Sequence, residues 1–107
     1  MAEIANSEII DIINKYIENL SKEITINKVI LFGSYAKNCA DEYSDIDIAI
    51  ISDDFSGNIE EDFVLAMKAC KNVDLRIEPH IFTVSDFEND CFSDEILKYG
   101  IEVYKVA

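Results

Sequence analysis

Two aspartates opening an otherwise apolar strand constrain this chain more than any other feature. Residues 45–51 read Asp-Ile-Asp-Ile-Ala-Ile-Ile, a branched run that belongs inside a sheet. Side chains alternate along a strand, so Ile46, Ile48 and Ile50 enter a core on one face while Asp45 and Asp47 share the other. The two Cα atoms then lie about 6.6 Å apart. Carboxylates at that spacing repel unless solvent or a cation relieves them, and together they converge on one or two Mg²⁺ ions, hard cations that prefer oxygen donors.

The remaining residues supply the sheet and its cover. After Asn6 or Ser7 as cap, Ile9, Ile10, Ile13, Tyr16, Ile17 and Leu20 recur at three- and four-residue spacing, which predicts an amphipathic helix. Residues 25–32 read as a strand that Gly33-Ser34 ends, residues 34–40 as a short helix, and Asp41 to Ser44 as a turn. An acidic loop follows, then a helix over Ile59–Lys71 and a third strand over Val73–Glu78, interrupted or bent by Pro79. Residues 80–84 suggest another strand, Asp94–Tyr99 a short helix closed by Gly100, and Ile101–Val106 a last strand. This order implies an α+β fold, a small mixed β-sheet with helices packed on it, and residues 1–107 are expected to form one domain.

Charge removes whole classes of partner. Nine Lys and Arg face twenty-two Asp and Glu, a net charge of −13, and the basic residues are scattered. Long nucleic acid and anionic membrane surfaces both need clustered basic charge, so neither is expected. A free nucleotide remains compatible because a divalent ion supplies positive charge locally. A basic protein partner is compatible too. Cys39, Cys70 and Cys91 form no Cys-x-x-Cys pair and read as reduced, largely buried thiols. With no signal-like N-terminus and no apolar run near the roughly 20 residues of a membrane span, a cytoplasmic location is expected.

Other residues join the acidic pair. On the predicted third strand Val73, Leu75 and Ile77 take one face, leaving Asp74, Arg76 and Glu78 on the other. Asp74 completes the cluster if the two strands are neighbours, and Glu78 competes for that role from the same face. Gly33 lets backbone approach a phosphate, and the amides after it, with the Ser34 hydroxyl, make an anion-binding bend. Lys37 can reach a phosphate as a point charge. Arg76 reads as neutralising Asp74 and Glu78 ahead of contacting phosphate. His80, the only histidine, reads as a structural residue ahead of a catalytic base.

Gly33-Ser34, a ten-residue gap, Asp45-Ile46-Asp47 and then Val73-Asp74-Leu75 together resemble the minimal nucleotidyltransferases of the DNA polymerase beta-like superfamily. Ile96 to Tyr104 is similar to that family's usual ending. The resemblance implies a polymerase beta-like core in which Gly33 and Ser34 hold a triphosphate. It places Mg²⁺ on Asp45 and Asp47, with Asp74 helping to bind metal and activating the acceptor hydroxyl. Asn38 stands where the family's loop commonly has Gly, and Asn tolerates a left-handed backbone.

The activity so implied is transfer of a nucleoside monophosphate, AMP from ATP, to an acceptor hydroxyl. Stand-alone members of the family pair with HEPN-domain toxins and some add AMP to a tyrosine of them, so an antitoxin acting on such a basic partner is the expected role. A lone copy is expected to be a weakly associating monomer or homodimer that forms a larger hetero-oligomer with its partner. Two alternatives stay open: an inactive acidic module that neutralises a partner by occlusion, and one half of a split small-molecule transferase.

Overall fold

The computed structural model describes residues 7–37, 39–41 and 44–105; Asn6, Asn38 and Val106, which entered the reading above, lie outside them. The chain opens with helix α1 (Ser7–Ser21), followed by strands β1 (Lys28–Phe32) and β2 (Ile46–Ile51) and helix α2 (Ile59–Lys68). Strand β3 (Ile77–Phe82), two short helices α3 (Val84–Asn89) and α4 (Ser93–Tyr99), and strand β4 (Ile101–Lys105) complete it. The sheet order is β3-β2-β1-β4. β1 runs antiparallel to β2 and β4, whereas β2 and β3 are parallel and joined through α2. The expected small mixed sheet is observed.

Alternation along β2 divides the molecule into two apolar layers. Ile46, Ile48 and Ile50 pack with Val29, Leu31 and Ile77 beneath the α1 stripe of Ile9, Ile13, Tyr16, Ile17 and Leu20. On the opposite face Ala49 and Ile51 pack with Ile30, Phe32, Phe87 of α3 and Ile96 of α4. The buried Tyr16 hydroxyl donates to the Ala66 carbonyl oxygen at 2.8 Å, tying α1 to α2. α2 starts at Asn58, whose side chain accepts from the Glu61 amide, the usual satisfaction of an orphan helix N–H.

Several expectations need correction. Residues 34–37 form turns instead of a helix, closed by Lys37 N–H to Gly33 O at 3.1 Å and Cys39 N–H to Ser34 O at 3.0 Å. The third strand begins at Ile77, not Val73. Asn72 has a left-handed backbone (φ 65°), and Asp74 accepts from the Arg76 amide at 2.8 Å, an Asx-turn that competes with extended pairing. Leu75, expected on one strand face with Val73 and Ile77, is 95% exposed. The strand then runs through Pro79 into the segment expected as a separate strand, because β3 is an edge strand and loses no ladder partner on its open side. Of the thiols, Cys70 alone is buried, while Cys39 and Cys91 are exposed.

α3 was not anticipated. Its N-cap is Thr83, whose hydroxyl accepts from the Asp86 amide at 3.1 Å. Gly100 follows α4 with φ −79°, so its need for glycine is steric: a Cβ there would run into the Ile96 carbonyl oxygen and the Ile30 side chain. Among the described residues no helix is long and apolar enough to cross a membrane.

Candidate active site

The sheet face that carries Ala49 and Ile51 also carries Asp47. In register, Asp47 lies opposite Phe32 on β1 and opposite Glu78 on β3, and Ala49 lies opposite His80. Glu78 and His80 are two residues apart on β3 and so point to the same side. Ligand atoms of Asp47, Glu78 and His80 all lie within 4.8 Å of one another. His80 Nε2 is 3.4 Å from Asp47 Oδ1 and 4.0 Å from Glu78 Oε1. The Phe32 ring meets the imidazole edge-on at a centroid distance of 4.9 Å.

Gly33 follows Phe32 directly and closes one side of this group. Its φ is +74°, and a Cβ built on it would stand 2.5 Å from Asp47 Oδ2. Glycine is required there twice, for the backbone angle and for room beside a carboxylate. The bend it starts is braced from below. Arg76 donates to both Asp74 oxygens at 3.0 and 2.9 Å and to the Tyr35 hydroxyl at 3.2 Å, and that hydroxyl donates to Asp41 O at 3.3 Å.

The acids titrate apart. Glu78 is held above its ordinary range by desolvation first, then by the Asp47 charge and a side-chain hydrogen bond with Asp45. Carboxyls this close resist ionising together. Asp74 is held below its ordinary range, chiefly by the Arg76 hydrogen bond. One acid is short of positive charge; the other already has its own.

A cleft of about 310 Å³ opens beside the cluster, lined by Phe32, Gly33, Lys37, Asp47, His80, Phe92, Glu95, Ile96 and Tyr99. That volume lies at the small end of ligand sites. Lys37 Nζ stands 5.1 Å from the Tyr99 ring centroid and 3.9 Å from Glu95 Oε1, an exposed and loosely held cation at the cleft rim.

A family model described as a nucleotidyltransferase domain matches residues 10–103. The chain belongs to this nucleotidyltransferase family. It is 33% identical over 100 residues to "Putative protein adenylyltransferase MJ0141" of Methanocaldococcus jannaschii, covering 90% of this chain and 99% of that protein. A crystal structure described as a "putative nucleotidyltransferase" from Sulfolobus solfataricus superposes with a TM-score of 0.70 at 14% identity, over 98% of this chain and 90% of that one. That likeness establishes the fold. A crystal structure of a toxin–antitoxin with AMP-PNP matches with a TM-score of 0.64 at 25% identity, over 87% of this chain and 73% of that one.

Within this nucleotidyltransferase, the residues expected from sequence are distributed unevenly. Gly33, Lys37 and Asp47 line the cleft, and Asp45 lies against Glu78 beside it. Ser34 lies half-buried in the bend after Gly33. Asp74 is not brought in as the third acid: it precedes β3 and its two oxygens are taken by Arg76. Arg76 pairs with Asp74, one of the two acids it was expected to neutralise. Glu78 faces Asp47 in register, where Asp74 was expected, and His80 lies beside both acids. The signal for both is the alternation Glu78-Pro79-His80, legible once the strand is allowed to pass through Pro79.

Proposed function

We propose that this nucleotidyltransferase transfers AMP from ATP to a hydroxyl of a protein partner, with Mg²⁺ held by Asp45, Asp47 and Glu78. The observation that carries this reading is the approach of Asp47 and Glu78 beside the positive-φ Gly33, next to a cleft of about 310 Å³. The donor set fits a divalent cation, since the acids repel one another and Glu78 is pushed toward its protonated form without one.

Mg²⁺ held by these residues would supply charge neutralisation for the triphosphate and Lewis-acid polarisation at the α-phosphorus. Gly33 lets the backbone of the bend come close to the phosphates, and the Ser34 hydroxyl donates to them. Lys37 leaves its weak contact with Glu95 to reach the triphosphate as a point charge. The acceptor oxygen attacks the α-phosphorus in line, its proton passes to the Glu78 carboxylate, and the bond to pyrophosphate breaks.

A protein acceptor is favoured by the outer surface. Ile59, Phe63, Val64 and Met67 of α2 stand between 41% and 78% exposed on a chain of net charge −13, which suits a basic partner with an apolar contact face. The M. jannaschii relative carries the name of a protein adenylyltransferase and the AMP-PNP complex is a toxin–antitoxin, so a HEPN-type toxin is the proposed partner and the antitoxin role follows. The test is incubation with α-³²P-ATP, Mg²⁺ and the neighbouring gene's product. Label on that protein, lost in Asp47→Asn and Glu78→Gln, supports transfer. Neutralisation of the partner by those variants without label supports occlusion instead.

A further inference from the structure

We propose that His80 is a metal ligand, and that its imidazole makes the Asp47–Glu78 site prefer Mn²⁺, Co²⁺ or Zn²⁺ over Mg²⁺. The proposal rests on reading those two acids as a metal site. It adds a nitrogen donor and the class of metal.

Backbone register places the ring. Glu78 and His80 leave the same side of β3, Asp47 faces Glu78 across the parallel pair, and the residue facing His80 is Ala49. A methyl group there leaves the imidazole room to lean along the sheet toward Asp47. Phe32, T-shaped against the ring at 62°, fixes its plane, and the nitrogen presented to the acids is Nε2. At 3.4 Å from Asp47 Oδ1, Nε2 is beyond the usual 2.7–3.2 Å of a good N–H···O bond. Both carboxylates also approach the same nitrogen, and a single N–H cannot serve them equally.

The distances suit an ion instead. Ligands about 2.1 Å from a metal stand about 3.0 Å apart when cis-octahedral and about 3.4 Å apart when tetrahedral. The observed separations are 3.4 and 4.0 Å, with the whole group inside 4.8 Å, so small side-chain rotations close the set. A metal held by two carboxylates and one imidazole would keep further positions for water or a phosphate oxygen. Mg²⁺ takes oxygen donors almost exclusively, whereas imidazole suits transition metals, whose affinity for such a mixed site is higher throughout the first-row series.

His80 is the only histidine of the chain, so its ring nitrogens are assignable without ambiguity in tag-free protein. Long-range ¹H–¹⁵N spectra of EDTA-stripped full chain, titrated with Zn²⁺ and separately with Mg²⁺, read ligation directly. Zn²⁺ is expected to shift Nε2 and Mg²⁺ to leave it in place. Asp47→Asn is expected to remove the shift. By calorimetry, His80→Gln is expected to weaken Mn²⁺ binding by about 10- to 100-fold or more, with Mg²⁺ binding in the presence of ATP nearly unchanged. Mn²⁺ heats that vanish in Asp47→Asn while Nε2 never moves overturn His80 as ligand and leave the acidic metal site standing. A Zn²⁺ shift that survives Asp47→Asn combined with Glu78→Gln also overturns the proposal, since the imidazole then binds metal outside the cluster. Absence of any Asp47-dependent heat with either metal, with or without ATP, removes the metal site itself.

Discussion

Replacing Gly33 by Ala tests the closest approach in the site. Two separable costs arise. The first is local: φ is +74°, and an L-residue in the left-handed region loses about 1–2 kcal/mol relative to glycine. The second is contact. The new Cβ would stand 2.5 Å from Asp47 Oδ2, against 3.4 Å where ordinary contact begins, so the carboxylate must retreat by 3.4 − 2.5 = 0.9 Å. A side chain can yield that much, so the retreat falls mainly on function. Displacement of a catalytic group by about 1 Å costs on the order of 100-fold. Urea unfolding should therefore report a loss of about 1–2 kcal/mol, near 4–8 °C in melting temperature per kcal/mol. Metal titration should weaken in the same variant. A double-mutant cycle separates the two: on an Asp47→Ala background the Oδ2 clash is gone and only the backbone cost remains. A Gly33→Ala protein that loses less than about 0.5 kcal/mol and binds metal normally refutes the reasoning.

Other substitutions probe the two acids and the core. Asp74→Asn should cost about 1 kcal/mol at neutral pH, the worth of a hydrogen-bonded charge pair, and leave metal binding intact. Because the folded pKa of Asp74 is depressed, that stability is present above the unfolded value and lost as pH falls through the folded one, so wild type and variant should converge in acid urea titrations. Glu78→Gln should do the opposite in EDTA. Its folded pKa is raised, so stability present below the unfolded value is lost as pH rises through the folded one, and the variant should melt higher than wild type at neutral pH but not in acid. Tyr16→Phe removes the 2.8 Å bond to the Ala66 carbonyl in a fully buried place, and thermal melts should fall by about 1 kcal/mol with ATP binding unaffected.

Where hydrophobic spacing was regular, sequence and structure agree closely. The α1 stripe, Ile10 apart, and the β2 alternation bury the residues their periods select, because a one-residue slip would exchange the positions of Asp47 and Ile48. Boundaries were less legible. Thr83-Val84-Ser85-Asp86 carried a helix-start signature, Thr three residues before an acid, and it was obscured by the apolar run Ile81-Phe82 before it. The segment Val73-Asp74-Leu75 looks like a strand by composition, yet it is a turn. Nothing in residue propensity reveals that Asp74 and Arg76 close on each other across it.

That turn explains why Glu78, and not Asp74, faces Asp47. Asp74 and Glu78 have the same parity, so alternation alone assigns both to the Asp47 face and leaves the choice to register. Register is set by where extended pairing begins, and the first bond from this segment to β2 is Ile46 N–H to Arg76 O at 2.8 Å. Residues before Arg76 are withdrawn from the sheet by a local ion pair that needs no partner strand. Once Ile77 faces Ile46, Glu78 must face Asp47. The acid with a neighbouring guanidinium is neutral to its surroundings and can close a turn, while the acid without one is left to repel Asp45 and Asp47. A carboxylate whose charge is already matched has little to offer a cation. The unmatched one is where a cation gains most, and the sheet sets it beside Gly33.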